Sequence, residues 1–118
     1  MKVIYIAGKY TASNEKGKKK NIKDAETVSK QVWKRGMAAI CPHLNTKNWD
    51  KLIDADEFLE GYFSIVKKCD AVLMLNGWKY SEGAKAEHWL ATTYNVPVFY
   101  SVSAVSYTHL TLPTNREV

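Results

Sequence analysis

The chain has 118 residues with a formal net charge of +5, and 46% of its residues are hydrophobic and 25% charged. This length and composition predict one globular domain with a single core and exclude a second domain. The chain begins directly in a strand pattern, with no signal-peptide segment and no apolar run long enough to span a membrane. We therefore expect a cytoplasmic protein with no membrane partner.

The first half of the chain alternates strand and helix patterns. A β-branched and aromatic run at 2–7 predicts a strand buried on both faces. Residues 8–20 combine turn residues with no apolar period, which predicts a loop that is mobile until an anion binds. Asn21 is the expected N-cap of a helix that continues to about residue 35. A second strand is predicted at 37–41, followed by a polar loop.

The second half repeats this alternation. Apolar residues at helical spacing over 55–69 predict the most regular helix, with Asp54 and Glu57 as a variant of the capping box. A strand, a helix and a strand follow, at 71–75, 81–94 and 96–100. The expected fold is α/β: a small flavodoxin-like (Rossmann-like) three-layer domain with a parallel sheet of about four strands. We expect it to be truncated at its C-terminus.

Several familiar motifs are missing from the sequence. It contains no Walker A motif, no GxGxxG and no GxSxG, which disfavours classical nucleotide sites and an α/β-hydrolase. Cys41 and Cys69 form no CxxC motif, which favours buried, reduced thiols. Polar groups instead follow the predicted strands, at the edge where ligands of parallel α/β sheets collect. They are Tyr5, Gly8, Lys9, Tyr10, His43 and the segment 76–87.

Lysines crowd the first loop and the beginning of the first helix. They are Lys9, Lys16, Lys18, Lys19, Lys20 and Lys23. This cluster suggests an anionic ligand such as a nucleotide phosphate, and a solvated lysine-rich loop is the alternative. Since no zinc-finger, helix-turn-helix or RNP pattern accompanies the charge, nucleic acid is not an expected partner.

Three segments of the chain, Ile4–Tyr10, Cys69–Leu73 and Ser81–Glu87, carry a family resemblance. In this order they are similar to the first-strand signature, the strand before the active-site loop and the Gly-x-x-x-Glu nucleophile segment of nucleoside 2-deoxyribosyltransferase-like proteins. The short uncharacterised members of that family are the most similar. The likeness runs over residues 1 to about 100. The order and spacing of the three segments are more specific than any one of them.

The resemblance implies an enzyme that cleaves or transfers at the N-glycosidic bond of a (deoxy)nucleoside or nucleoside 5′-monophosphate, without metal or cofactor. Glu87 would be the nucleophile, and Tyr5 would orient it by a hydrogen bond. The resemblance further implies a homo-oligomer whose site a neighbouring subunit completes. The expected substrate-binding residues are Gly8, Lys9, Tyr10, Asp70, Ser81 and Gly83.

Ser81 departs from the pattern of the deoxyribosyltransferases proper, which carry an aspartate six residues before the nucleophile. The related deoxynucleoside monophosphate N-glycosidases have a serine there, which favours hydrolysis of a nucleotide over base exchange. Lys9 stands where many relatives have proline, and the phosphate-loop serine and arginine of the N-glycosidases are not evident. The identity of the substrate therefore stays open.

The same residues also have structural interpretations. Ser81 is suited to capping a helix, Glu87 to a solvated helix face, and His43 and His88 to the surface or to packing. Stacking on a base and burial in a core or interface are both open for Trp49, Trp78 and Trp89. For the whole protein, the alternative is a catalytically inactive nucleotide-binding sensor or regulatory module.

The C-terminal segment is interpreted separately. Residues 105–114 resemble the translated read-through of a transposase adaptor used to build sequencing libraries. We therefore expect residues 1–104 to form the nucleoside deoxyribosyltransferase-like domain and residues 105–118 to be a non-native tail, His109 included. The natural protein is then expected to continue differently.

Overall fold

The computed structural model describes residues 1–108, which contain a four-stranded sheet. Its neighbouring strands are all parallel, and their spatial order is β2-β1-β3-β4. The strands are β1 (Val3–Ala7), β2 (Ala38–Ile40), β3 (Ala71–Met74) and β4 (Val98–Phe99). Every residue of β1 and β3 is buried, because these central strands are covered on both faces.

Helices cover both faces of this sheet. They are α1 (Glu15–Lys34), α2 (Pro42–Asn45), α3 (Ala55–Val66), α4 (Glu82–Thr93) and α5 (Val102–Thr108). No helix within residues 1–108 combines the length and the apolar character needed to cross a membrane.

Alternation along β1 divides the core in two. Val3, Tyr5 and Ala7 pack on the face covered by α3 and α4, whereas Ile4 and Ile6 pack on the face covered by α1 and α5. The predicted three-layer α/β architecture is confirmed.

The strand order determines where a crevice can open. β2 lies on one side of β1 in the sheet, and β3 lies on its other side. The connections that follow β1 and β3 therefore diverge at the carboxyl ends of these two strands. The two strands stay close there, since Leu75 N–H donates to the Ala7 carbonyl at 2.8 Å. A Cβ added to Gly8 would lie 2.6 Å from Leu75 Cδ1, so this exit from β1 accepts only glycine without a shift.

The beginning of α1 differs from the prediction. The helix starts at Glu15, so the expected loop over residues 8–20 is wrong in its second half. Asn14 is the N-cap, and its side chain accepts from Gly17 N–H at 2.8 Å. Asn21, the expected cap, lies inside the helix and donates to the Tyr10 carbonyl at 3.1 Å. None of residues 15–20 is buried, so this lysine-rich turn has no apolar period, although lysine itself favours a helix.

Smaller differences occur at other boundaries. A short helix, α2, replaces the predicted polar loop after β2, with Pro42 at its beginning. Within the described chain the side chain of Asp54 makes no capping bond to α3, so the predicted capping box is wrong. Asn95 lies one residue beyond the C-cap of α4, with a φ of 60°, a left-handed conformation that asparagine tolerates. Cys69 is buried, and Cys41 is half-buried.

The last helix overlaps the segment predicted to be a non-native tail. α5 ends at Thr108, and Val105 is fully buried in the same cluster as Ile4 and Leu73. Residues 109–118, including His109, lie outside the described part of the chain. The α5 segment therefore contributes to the core.

Candidate functional site

Tyr5 and Glu87 form a buried hydrogen-bonded pair between the sheet and α4, here called the carboxylate–tyrosine pair. Tyr5 is fully buried in the middle of β1, and Glu87 is only 8% exposed. The Tyr5 hydroxyl donates to Oε2 of Glu87. Glu87 points inward because it shares the buried stripe of α4 with Ala84, Leu90 and Ala91. The interpretation of Glu87 as a solvated helix residue is therefore wrong.

Burial dominates the electrostatics of this pair. Loss of contact with water raises the pKa of Glu87 to about 7, and the hydrogen bond from Tyr5 opposes that rise. Burial and the adjacent carboxylate raise the pKa of the Tyr5 hydroxyl well above its ordinary value. Tyr5 therefore keeps its proton and acts as a donor, whereas Glu87 exchanges its proton near neutral pH, as groups in active sites often do.

A second tyrosine connects the pair to the chain after β2. Tyr62 of α3 packs edge-on against Tyr5, with ring centroids 6.2 Å apart. Its hydroxyl accepts from Asn45 Nδ2 at 3.1 Å and lies 3.0 Å from Thr46 Oγ1. The helical spacing of apolar residues in α3 predicts that Tyr62 is buried. No pattern in the sequence predicts its contacts with residues 45 and 46.

The residues after β1 form another part of the same sheet edge. His43 is buried, and its Nε2 donates to the Lys9 carbonyl at 2.9 Å. The Tyr10 ring lies edge-on to the imidazole, with centroids 5.6 Å apart, and the Tyr10 hydroxyl accepts from Asn48 N–H at 2.9 Å. The side chain of Lys9 is exposed. Lys9 thus contributes its backbone to this edge, and Tyr10 holds the loop after α2 in place.

Ser81 and Gly83 lie at the beginning of α4, where Ser81 is the N-cap. Its Oγ accepts from Ala84 N–H at 3.1 Å, which confirms the capping interpretation. A Cβ added to Gly83 would lie 3.9 Å from that Oγ, its nearest contact. Open space therefore exists beside the first turn of the helix that carries Glu87.

Asp70 lies at the opposite edge of the sheet. Its carboxylate accepts from Val3 N–H at 2.7 Å, and its own N–H donates to the Val3 carbonyl at 2.9 Å. Val3 begins β1, whereas Gly8 follows its end, roughly 16 Å away at the rise of a β-strand. The structure does not bring Asp70 to the other predicted site residues. Its placement disagrees with the predicted contact to substrate, because its side chain joins β1 to the chain before β3.

The predicted lysine cluster, apart from Lys9, lies between residues 16 and 23 of α1. The side chain of Lys18 is 12% exposed and pairs with Asp50 at 3.5 Å. Lys20 pairs with Asp24 at 2.8 Å. Two members of the cluster thus have acidic partners, and α1 presents three others to solvent: Lys16, Lys19 and Lys23.

Aromatic residues hold the connection between β3 and α4. Trp78, in the 3-10 turn Trp78–Tyr80, stacks on His88 with centroids 4.3 Å apart. His88 Nε2 lies 2.9 Å from the Tyr100 hydroxyl. A cavity of about 220 Å³ opens beside this turn. Trp49 and Trp89 are exposed. Within residues 1–108, no three His, Cys, Asp or Glu side chains are grouped so that they could hold a metal ion.

Comparison with known proteins supports the fold and assigns the family. The structure is similar to that of a 2-deoxyribosyltransferase from the psychrotolerant bacterium Bacillus psychrosaccharolyticus, with a TM-score of 0.58 and 14% sequence identity. The match covers 81% of this chain and 69% of that chain, and at this identity it establishes a shared fold. A search of curated protein sequences gives no significant match. Residues 2–100 match the family model described as Domain of unknown function (DUF4406), and the chain therefore belongs to that family.

Proposed function

We propose that this protein cleaves or transfers at the N-glycosidic bond of a (deoxy)nucleoside or nucleoside 5′-monophosphate, with Glu87 as the nucleophile. The observation that carries this proposal is the carboxylate–tyrosine pair, in which a buried acid is held by a tyrosine that keeps its proton. The fold shared with a 2-deoxyribosyltransferase supports a nucleoside as the class of substrate.

In the proposed reaction Glu87 acts in its ionised form. Tyr5 donates to Oε2, which leaves Oε1 to attack. Oε1 forms a bond to the anomeric carbon while the bond from that carbon to the base breaks, and the bonding electron pair leaves with the base, which takes a proton from water. A second water molecule then attacks the same carbon, loses a proton to the hydroxide ion that protonation of the base left behind, displaces the carboxylate and releases the sugar. A second base in place of water would give transfer.

We assign the substrate contacts to the carboxyl edge of the sheet. The loop of Gly8, Lys9 and Tyr10 follows the strand that carries Tyr5, and Ser81 and Gly83 begin the helix that carries Glu87. Asp70 is left out of this assignment because it lies at the other edge. The exposed large aromatic side chains, Trp89 of α4 among them, support the further proposal that the active form is a homo-oligomer.

A catalytically inactive nucleotide-binding module is the second candidate. The burial of Glu87 favours it, because a carboxylate that is 8% exposed presents little surface to a sugar. Under this alternative, the pair stabilises the contact between β1 and α4, and ligands bind at the sheet edge without reaction.

Measurement of free base separates the two candidates. A panel of 2′-deoxynucleosides and their 5′-monophosphates is incubated with the wild type, Glu87→Ala and Glu82→Ala, and released base is quantified by chromatography. Glu82 is a matched control because it is an exposed carboxylate in the same helix. We expect release by the wild type and by Glu82→Ala, and none by Glu87→Ala. Equal release by all three proteins contradicts the role of Glu87, and binding without release by any of them favours the module.

The exposed lysines of α1 support a phosphorylated substrate. α1 follows β1, so its beginning lies at the carboxyl edge of the sheet together with Lys16, Lys19 and Lys23. We expect their combined change to alanine to weaken 5′-monophosphates more than the unphosphorylated nucleosides, as measured by KM. Lys68→Ala, an exposed site beyond the end of α3, is the control. Equal weakening of both ligand classes would contradict the phosphate contact.

A further inference from the structure

His43 carries a buried nitrogen that has no hydrogen-bond partner among the described residues. The residue is 4% exposed, and the unpartnered atom is Nδ1. A buried acceptor without a donor costs about 1–3 kcal/mol, and native proteins keep few such atoms. The reaction proposed above gives this nitrogen no role. Its position therefore calls for a donor from outside residues 1–108.

The other ring nitrogen determines the proton state of His43. Nε2 lies 2.9 Å from the Lys9 carbonyl oxygen, and since a carbonyl oxygen only accepts, Nε2 carries a proton. Burial lowers the pKa of the imidazole, so the ring is neutral at neutral pH. Nδ1 is then a lone-pair acceptor with a fixed direction. Its partner must be an O–H or N–H group, and a phosphate dianion, which only accepts, is excluded.

His43 lies at the same edge of the sheet as the carboxylate–tyrosine pair. It follows the end of β2, where Ile40 is paired in register with Tyr5. Adjacent strands are about 4.8 Å apart, so the two sites are one strand apart at this edge. His43 belongs to the short helix α2, which ends at Asn45. Asn45 donates to the Tyr62 hydroxyl, and the Tyr62 ring packs on Tyr5. The unpartnered nitrogen and the proposed nucleophile thus border one region.

We propose that Nδ1 of His43 accepts a hydrogen bond from a hydroxyl group of the substrate's sugar. The identity of this ligand rests on the proposed function. The sugar is assigned because its anomeric carbon must reach Glu87 from this edge, and its hydroxyl groups are the donors nearest that carbon. Since Nδ1 is buried, the sugar must displace part of its cover, and the half-buried Tyr10 ring is the aromatic neighbour of the imidazole.

Two substitutions separate the functions of the two ring nitrogens. His43→Gln retains an N–H donor near the Nε2 position and loses the acceptor, whereas His43→Asn retains an acceptor near the Nδ1 position and loses the bond to Lys9. With 2′-deoxyadenosine as the probe, in protein that also carries Glu87→Gln so that no reaction occurs, we expect the Kd of His43→Gln to rise about tenfold and that of His43→Asn to change by less than about threefold, since the hydrogen bond to the ligand is lost only in the first. Thermal unfolding by circular dichroism checks that both variants are folded. Equal Kd values for His43→Gln and the wild type overturn the proposal.

The nitrogen-15 signal of Nδ1 gives a readout that does not depend on turnover. We expect 2′-deoxyadenosine to move this signal upfield in protein carrying Glu87→Gln, which prevents reaction during the measurement. The analogues 2′,3′-dideoxyadenosine and 2′,5′-dideoxyadenosine each lack one hydroxyl group, and we expect one of them to leave the signal in place. An equal response to all three compounds identifies a base amino group or water as the donor and overturns the sugar contact. No response to any of them overturns it as well.

These outcomes separate the inference from the proposed function. If the wild type releases base and His43→Gln binds and reacts equally well, the His43 contact is wrong and the function stands. If Nδ1 responds to the sugar hydroxyl but base release does not depend on Glu87, the contact stands and the catalytic proposal is wrong.

Discussion

The proposed reaction needs Glu87 in its ionised form, and this is the form that lowers the stability of the folded protein. Its pKa is about 7 in the folded protein against an ordinary value of 4.5, so between these pH values the folded state holds a proton that the unfolded chain has released. Stability therefore falls as pH rises through this window, and the full penalty applies above pH 7. At 1.36 kcal/mol per pKa unit, the penalty is about 3 kcal/mol.

Replacement of this carboxylate by an amide should remove the penalty. We expect Glu87→Gln to unfold with nearly the wild-type free energy at pH 4.5 and to become more stable than the wild type by about 2–3 kcal/mol at pH 8, because glutamine has no charge to bury. Urea unfolding at several pH values measures the difference. Glu82→Gln, at an exposed position, is the control and should show no such trend. A difference that is independent of pH would contradict the burial of an ionisable Glu87.

The hydroxyl of Tyr5 should influence both the rate and its pH dependence. Tyr5→Phe removes the donor that opposes the raised pKa of Glu87, so the pH at which base release reaches half its maximum should move upward. At pH 7 we expect a loss of about ten- to a hundredfold in kcat/KM, the value of one hydrogen bond to a charged group. Tyr62→Phe is the control, since Tyr62 contacts the Tyr5 ring and not the carboxylate. If the pH of half-maximal base release is the same in Tyr5→Phe as in the wild type, the proposed role of the hydroxyl is wrong.

At the scale of elements, the beginning of α4 combines a structural and a proposed functional role. Ser81 caps the helix, so Ser81→Ala should lower the free energy of unfolding by about 1 kcal/mol, and Ser81→Asp should restore it because aspartate also caps. If Ser81 also contacts substrate, as we propose, Ser81→Asp recovers stability without recovering wild-type kcat/KM. Asn14→Ala, at the N-cap of α1, should lower stability and leave base release from unphosphorylated nucleosides unchanged. Full recovery of activity in Ser81→Asp would reduce Ser81 to a cap.

The close approach of β1 and β3 should make Gly8 intolerant of a side chain. A methyl group would lie 2.6 Å from Leu75 Cδ1 and 2.8 Å from its Cβ, so we expect Gly8→Ala to destabilise the protein by about 1–3 kcal/mol. Gly61→Ala is the matched control, because Gly61 is exposed in α3 with open space around it. That change should stabilise the protein by up to about 1 kcal/mol. Chemical unfolding of both variants measures the contrast, and a neutral Gly8→Ala would show that the two loops separate easily.

At the scale of the whole molecule, α5 and α1 pack on the same face of the sheet. Val105 is fully buried with Ile4 and Leu73, so a charge at this position would lie in the core. We expect Val105→Asp to destabilise the protein by more than about 3 kcal/mol, whereas Tyr107→Asp, at a residue that is 90% exposed, should be close to neutral. Thermal unfolding of the two variants makes the comparison. Equal melting temperatures would show that α5 does not stabilise the core. That result would agree with the interpretation of the segment from residue 105 as a tail.

Local patterns in the sequence were sufficient wherever a segment is covered by the core. The apolar run before Gly8 and the helical spacing over α3 each predict their elements, because burial selects the side chains directly. The beginning of α1 was not predicted because none of residues 15–20 is buried, and an asparagine cap followed by lysines gives only a weak helix pattern. Asp70 was misplaced for a related reason: a polar residue beside a strand reveals neither the edge at which it lies nor the backbone group it binds.

The sequence by itself determined the succession of strands and helices, the resulting parallel three-layer fold and the candidacy of Tyr5 and Glu87, because hydrophobic periodicity and short motifs are local. Only the tertiary structure decided that Tyr5 and Glu87 meet, that the carboxylate is buried, and that His43 keeps a nitrogen without a donor within the described chain. Tyr5 and Glu87 are separated by 82 positions, and their contact depends on strand order and on the rotation of α4 about its axis. The raised pKa follows from the same packing, since loss of water around a side chain is a property of the assembled core.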